Sequence, residues 1–229
     1  WRTINISNAF AVSQKMNDEG NRYGFTNTID THMMKNSEWA IVAYLSQSKY
    51  GKLGNTNFTG ANKEIYQNKS DQFITGCSYG SPSNGNTDYG CQYTYDIDIN
   101  GTGASTTGTI YGIYDMSGGA WEYVMANYND ISGDSGFSEP LTLESKYYNK
   151  YTTNNISTAC DGSTCLSHGM SETSGWYGDA ILFLNDEATW LIRSGFYQNT
   201  ASSGIFYDVS IAGDIDLSGS FRLVLAPNS

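Results

Sequence analysis

Basic residues are scarce in this 229-residue chain, and their scarcity narrows the range of partners. Twelve Lys and Arg residues stand against 23 Asp and Glu residues, which gives a formal net charge of −11 at pH 7. Nucleic acids and anionic membranes attract proteins through Lys and Arg. No apolar run approaches the roughly 20 residues that cross a bilayer, and we do not expect residues from Trp1 onward to act as a signal peptide. We therefore expect no nucleic-acid partner and no direct membrane insertion by this segment.

Histidine is the second scarce residue type, since only His32 and His168 occur. Four cysteines fall as two local pairs, Cys77 with Cys91 and Cys160 with Cys165. Zinc is the competing interpretation of a C-x4-C pair, but two histidines and the surroundings of Cys77 do not complete a ligand set. We predict two loop-closing disulfides, which imply an oxidising, extracytoplasmic location.

Core-forming residues are plentiful. The chain is 39% hydrophobic and 14% aromatic, and no shift in composition divides it, so we predict one domain over residues 1–229. Only 15% of the residues are charged, while Tyr (18) and Gly (25) are abundant. The resulting surface, polar but weakly charged, suits the outside of a cell.

Apolar periodicity predicts two helices. The first covers residues 4–16, with Asn5 or Ser7 available as its cap. The second follows Asn36 and can be ended by Gly51. Its predicted apolar stripe consists of Trp39, Val42, Ala43 and Leu45. His32, just ahead of it, is interpreted as a hydrogen-bonded structural residue.

Strands are predicted in three places. Residues 51–108 read mostly as surface loops, apart from a short strand suggested by the alternation over residues 93–99. The closing part of the chain predicts a strand over 190–197, exposed turns, and a strand over 220–225.

The stretch 110–124, IYGIYDMSGGAWEYV, combines glycines, carboxylates and aromatic residues. In a tight Gly-Gly loop, the carboxylates of Asp115 and Glu122 and the carbonyls of Gly118 and Ala120 can converge on one point. Calcium accepts such mixed oxygen ligands. The alternative is an ordinary glycine turn with two solvated acids.

Three motifs resemble the formylglycine-generating-enzyme branch of the C-type-lectin fold. YDMSGGAWEYV is similar to its G-(L/I)-Y-D-M-x-G-N-V-W-E-W signature, with Gly119 replacing Asn and Tyr123 the second Trp. HMMKNSEWAIVAYL is similar to its Glu-Trp helix, and WLIRSGFY with SFRLV to its closing strands, with Ser194 replacing Gly.

The resemblance implies an α+β, C-type-lectin-like fold with two main helices, small twisted antiparallel sheets and many irregular loops. It also implies a structural calcium ion at Asp115, Gly118, Ala120 and Glu122. Such domains open with a strand ahead of the first helix, and we expect that strand, or an anchor segment, to be missing here.

The enzymatic chemistry of the family does not carry over. Its redox-active cysteine pair is replaced by Phe196, Tyr197, Gln198 and Asn199, and two histidines cannot supply the triad of its iron-dependent members. His168 and Glu172, with a carboxylate from residues 185–187, could form an acid/base site, although such side chains more often satisfy each other. We predict that the chain is not an enzyme.

Members of this fold that are not enzymes use it to present a binding surface. The chain resembles retroelement-diversified variable proteins and pilin-linked ectodomains of gut bacteria, which predicts a bacterial or phage-encoded protein at the cell surface. Residues 199–220 contain no Lys, Met, Gln, Glu or Trp, as diversified Asn codons would produce. The alternatives are a pilus or pseudopilin subunit, polymerised by a missing N-terminal helix, and a formylglycine-generating-like oxidase.

The predicted binding surface lies in residues 196–217, where aromatic and short polar residues alternate, as in recognition surfaces. Its partner is predicted to be a protein or a glycan on a host or microbial surface. The alternative is that the rings fill the core. The predicted contact residues are Phe196, Tyr197, Asn199, Phe206, Tyr207, Asp208, Asp214 and Asp216.

Overall fold

The computed structural model describes residues 1–152, 173 and 175–228 of the chain. It has an α+β fold, as predicted, with two main helices and a third short one. In chain order the elements are β1 (Arg2–Ile4), α1 (Ile6–Gln14), β2 (Ile29–Met33), α2 (Asn36–Ser46), β3 (Cys77–Ser78), β4 (Tyr93–Thr94), α3 (Asp98–Thr102), β5 (Trp121–Tyr128), β6 (Asn149–Tyr151), β7 (Ile181–Leu182), β8 (Trp190–Arg193), β9 (Asp208–Ile211), β10 (Asp216–Phe221) and β11 (Leu223–Pro227).

The main sheet has seven strands in the order β1-β10-β5-β8-β9-β7, with β6 also paired to β5. The pairs β10–β5, β5–β6 and β7–β9 are parallel. The expectation of small antiparallel sheets is therefore wrong for this sheet. Strand β5 has eight residues and pairs with β10 and then β6 along one edge, and with β8 along the other. Its parallel neighbours are reached through long connections, which parallel pairing requires.

Strand β5 separates two hydrophobic cores, because its side chains alternate between the faces of the sheet. Val124 and Ala126 pack into the core that contains Trp39 and Ala43 of α2. Tyr123 and Met125 pack into the other core, which contains the buried face of α1. The two predicted helices thus cover opposite faces of the sheet.

Helix α1 begins where the sequence predicts. The Asn5 side chain accepts a hydrogen bond from Asn8 N at 3.1 Å and caps the helix. A short strand, β1, lies ahead of this helix and pairs with β10 in antiparallel direction.

Helix α2 is confirmed, although it ends at Ser46, before Gly51. Glu38 Oε2 accepts a hydrogen bond from Lys35 N at 2.8 Å and satisfies a free amide at the helix start. Trp39 is fully buried and donates from Nε1 to the carbonyl of Ile205 at 2.8 Å. Leu45, predicted in the same apolar stripe, is instead exposed.

The segment 51–108 holds more structure than loops. Phe58, Tyr66 and Ala104 form a small separate core. The strand predicted over 93–99 is wrong beyond Thr94, because Ile97 N donates to Thr94 O in a turn that leads into α3.

One predicted disulfide is confirmed. Cys77 and Cys91 are bonded, with their Cα atoms 5.4 Å apart, beside the short β3–β4 pair. The predicted Cys160–Cys165 disulfide lies outside the described residues. The second small sheet pairs β11 with β2 in antiparallel register.

Candidate ligand-binding site

The central loop, residues 110–120, turns sharply into β5 on two glycines. Gly118 and Gly119 both have φ near the left-handed region, at +75° and +77°. A Cβ atom on Gly118 would lie 2.3 Å from the carbonyl oxygen of Asn68. Glycine is therefore required at position 118 by both its dihedral angle and the close approach of another chain segment.

Two of the four predicted calcium donors, Asp115 and Gly118, accept hydrogen bonds from residues outside this loop. The Asp115 carboxylate accepts hydrogen bonds from Asn68 Nδ2 at 2.8 Å and from Gly76 N at 3.0 Å. Burial raises the pKa of Asp115, and these two hydrogen bonds oppose the rise. The carbonyl of Gly118 accepts a hydrogen bond from Ser194 Oγ at 2.7 Å.

The third donor, Glu122, is paired with Arg222. Arg222 Nε donates to Glu122 Oε2 at 2.5 Å, and Nη2 donates to Oε1. Burial raises the pKa of Glu122, and the charge of Arg222 opposes that rise. The same guanidinium donates to the carbonyls of Tyr114 at 3.3 Å and Asp115 at 3.2 Å. Arg222 thus supplies the positive charge that the two neighbouring carboxylates need.

The residues as arranged here do not fit a calcium ion. Two carboxylates and two carbonyls, the last from Ala120, have the right chemistry. However, both oxygens of Glu122 face a guanidinium, and the Gly118 carbonyl is bound to a hydroxyl. Calcium at these residues stays a prediction.

A cavity of about 410 Å³ opens over this charged cluster. Asp115, Glu122 and Arg222 line it together with Asn68, and aromatic rings, including that of Phe73, line it as well. Pockets that bind small ligands combine apolar walls with a few fixed polar groups in this way.

Beside the cavity, five rings from four separate places in the chain form an aromatic face. We use this name for Phe73, Tyr89, Trp121, Phe196 and Tyr197, all of which are partly or well exposed.

The rings of the aromatic face contact one another directly. The Tyr197 ring centroid lies 4.3 Å from that of Phe196 and 5.4 Å from those of Phe73 and Tyr89, and Trp121 lies 5.4 Å from Phe196. Phe73 also lines the cavity, so the two features adjoin.

The turn that carries Phe196 and Tyr197 is held by hydrogen bonds. Tyr197 N donates to the carbonyl of Gly119 at 2.8 Å. Asn199 Oδ1 accepts from Phe196 N at 2.6 Å, and Gln67 Nε2 donates to the carbonyl of Asn199 at 2.6 Å. Asn199, a predicted contact residue, therefore positions the rings.

The predictions for Phe206, Tyr207 and Asp208 as surface contacts are wrong, because all three are buried. The Phe206 ring packs against Trp176 with centroids 5.1 Å apart, and Tyr207 belongs to the core around α1. Asp208, at 1% exposure, lies 3.4 Å from Arg193 and has its pKa raised to about 6 by burial. This segment fills the core, which was the alternative interpretation.

Asp214 and Asp216 lie at the start of β10. Asp214 is exposed and Asp216 is half-buried, and neither lines the cavity. Only Phe196, Tyr197 and Asn199 of the eight predicted contact residues belong to the aromatic face or its supporting turn.

Several site residues carry no local signal in the sequence. Asn68, Phe73 and Arg2 come from segments far from the central loop, and the Arg2 guanidinium lies 3.8 Å from the centroid of the Phe73 ring. Arg222 had a signal, since it belongs to the SFRLV motif, but its partner Glu122 could not be read from that motif.

The acid/base alternative is not tested by the described residues. His168 and Glu172 lie outside the described residues. Residues 185–187, the predicted source of the additional carboxylate, form a turn. Asn185 Oδ1 accepts hydrogen bonds from Glu187 N at 2.9 Å and from Ala188 N at 2.8 Å. His32 is a structural residue, as predicted, because its Nε2 lies 3.0 Å from Glu38 Oε1.

Comparison with known proteins does not assign a family. No family model matches the chain, and no curated protein sequence matches it. The resemblance to the formylglycine-generating-enzyme branch therefore rests on the three motifs and stays a prediction.

Among the described residues, no helix combines the length and the apolar character that crossing a membrane requires.

Proposed function

We propose that the protein is an extracellular, non-catalytic binding domain of the C-type-lectin-like type. The proposed binding site is the charged cavity at the central loop together with the aromatic face. The main support for the proposal is that the cavity and the aromatic face adjoin. Phe73 lines the 410 Å³ cavity, which also holds the charged side chains, and it belongs to the aromatic face as well.

The rings suit recognition because they are held before any ligand arrives. Tyr197 is tied through its backbone to Gly119, and Phe196 through its backbone to Asn199. A ligand that stacks on such rings orders few side chains on binding. Little conformational entropy is then lost, so the affinity is higher for the same contacts.

The absence of catalysis is argued from the same positions. Phe196 and Tyr197 stand where the resemblance would require the redox-active cysteines, and their rings form part of the aromatic face. The described cysteines, Cys77 and Cys91, are joined in a disulfide, which favours an oxidising location such as a cell surface.

The proposed partner is a protein or a glycan on a host or microbial surface. Asp115, Glu122 and Arg222 can exchange hydrogen bonds with a polar group that enters the cavity, while the aromatic face covers apolar surface beside it. Both partner classes contain such mixed groups, and the aromatic rings suit either.

The test is binding of the purified protein to glycan arrays and to surfaces of bacterial and host cells. Tyr197→Ala removes a ring from the aromatic face, and Ile74→Arg places a charged chain at the cavity, where Ile74 is exposed. Each variant should weaken binding about tenfold or more, as loss of an interface anchor does.

Leu182→Arg is the matched control, because Leu182 is similarly exposed but lies on β7. All variants must keep the wild-type melting temperature for the comparison to count. Full binding by both site variants, or equal loss in the control, would contradict the proposed site.

A further inference from the structure

We infer that a groove beside α2 binds an uncharged glycan. This tyrosine groove is lined by Val42 and Leu45 of α2, by Tyr50, and by Tyr111 and Ile113 of the central loop. Its volume is about 310 Å³. The inference does not depend on the proposed function, because its ring residues belong to neither the cavity nor the aromatic face.

The tyrosine groove exposes an unusual amount of aromatic and aliphatic surface. Tyr111 is 88% exposed, Tyr50 is 79% exposed and Leu45 is 59% exposed. Single exposed apolar side chains are common, but several in one concave place indicate a binding site.

The backbone around the tyrosine groove is fixed. Lys52 N donates to the carbonyl of Thr106 at 2.9 Å, which joins the Tyr50 segment to the segment that precedes the central loop. Thr106 N donates to the carbonyl of Ile113 at 3.0 Å, and Ile113 N donates to Thr106 Oγ1 at 3.0 Å. The two tyrosines are therefore presented from a hydrogen-bonded frame.

The lining of the groove carries no charge. None of its eleven described lining residues is Asp, Glu, Lys or Arg, although the chain has 23 acidic and 12 basic residues. A charged ligand would lose hydration there without gaining a counter-charge within the lining. The Lys49 ammonium, outside the lining, lies 4.8 Å from the centroid of the Tyr50 ring.

Ring faces and hydroxyl groups together match the chemistry of a neutral sugar. The apolar face of a pyranose can pack on the exposed Tyr111 ring, and its hydroxyls can exchange hydrogen bonds with the tyrosine hydroxyls and with Thr107. An acidic or basic ligand has no equivalent fit to this lining.

The size of the groove favours a glycan over a second protein. A stable protein interface uses roughly 20 to 30 residues on each side, whereas eleven described residues line this groove. Its volume is at the small end of the range for small-ligand pockets, about 300 to 1,000 Å³.

The groove also lies next to the proposed site. Ile113 lines both the tyrosine groove and the charged cavity.

The experiment uses nuclear magnetic resonance titration of the whole protein with lactose, maltose and cellobiose as neutral probes, and with 3′-sialyllactose as the acidic counterpart of lactose. At least one neutral probe should bind saturably. Tyr111→Ser should weaken that binding about tenfold, because it removes the main ring surface. Tyr23→Ser, a partly exposed tyrosine elsewhere in the chain, is the control and should bind as the wild type does.

Three results would overturn the inference. They are the absence of binding by all three neutral probes, tighter binding of sialyllactose than of lactose, and neutral binding that Tyr111→Ser leaves intact. Sedimentation of the wild type and Tyr111→Ser tests the competing occupant: a dimer that the substitution dissociates would assign the groove to a second copy of the chain.

Discussion

Arg222 holds Glu122 in a two-pronged ion pair across 100 positions of sequence, with Nε 2.5 Å from Oε2. Glu122 is the second residue of the central strand β5, and Arg222 lies between β10 and β11. The pair joins the central loop to the end of the chain and lines the charged cavity. It therefore serves the fold and the proposed site at once.

Breaking this ion pair from one side should be costly. Arg222→Met leaves the buried Glu122 carboxylate without its counter-charge, which typically costs about 3 to 5 kcal/mol. The double variant Arg222→Met/Glu122→Gln should lose less than the sum of the single losses, because it leaves no unpaired charge. Urea unfolding of the four proteins measures the coupling, and strict additivity would show that the two groups do not interact.

Calcium at Asp115, Gly118, Ala120 and Glu122 is tested separately. If the ion binds there, EDTA should lower the melting temperature of the wild type, and added calcium should restore it. Glu122→Ala should abolish this dependence. Binding would also require the Arg222 guanidinium to move from the position it holds here. A wild-type melting temperature unchanged by EDTA would reject the metal.

His32 should make stability depend on pH. Its ring lies between Glu38 Oε1, at 3.0 Å, and Asp30 Oδ2, at 3.5 Å, with Lys35 near Glu38 and the Tyr147 ring near the imidazole. The hydrogen bond to Glu38 raises the pKa of His32 above its usual 6.5. Because the pKa of His32 is higher in the folded state than in the unfolded state, protonated His32 stabilises the fold. This stabilisation is complete below the unfolded pKa and is lost as pH rises through the folded pKa.

The corresponding measurement is urea unfolding from pH 5.5 to 8.5. The wild type should lose stability across this range relative to His32→Gln, which cannot be protonated there. Parallel pH profiles for the two proteins would show that His32 does not stabilise the fold through its charge.

Gly118 and Gly85 form a matched pair for the geometry of the central loop. Their φ angles are +75° and +77°, but only a Cβ at Gly118 would meet backbone, at 2.3 Å from Asn68 O, while nothing lies within 4 Å of one at Gly85. Gly85→Ala should cost about 1 to 2 kcal/mol for the left-handed conformation alone. Gly118→Ala should cost clearly more, as judged by urea unfolding. Equal losses would mean that the loop can move away from Asn68.

Features that depend on neighbours along the chain could be predicted from the sequence. Asn5 and Glu38 satisfy the free amides at the starts of α1 and α2, and these capping groups lie within three residues of their partners. Cys77 and Cys91 are close enough in sequence for a loop to bring them together. The glycines of the central loop likewise revealed a tight turn, because their conformational freedom is a local property.

Which side chains share a surface could not be predicted from the sequence, because it depends on how distant segments pack. Phe196 and Phe206 both stand in polar, glycine-containing sequence, yet one joins the aromatic face and the other is buried against Trp176. A segment of alternating aromatic and small residues can face water or core equally well, and what covers it is chosen by strands distant in sequence. For the same reason, the pairing of Glu122 with Arg222 could not be read from either motif, since the contact depends on the parallel alignment of β10 with β5.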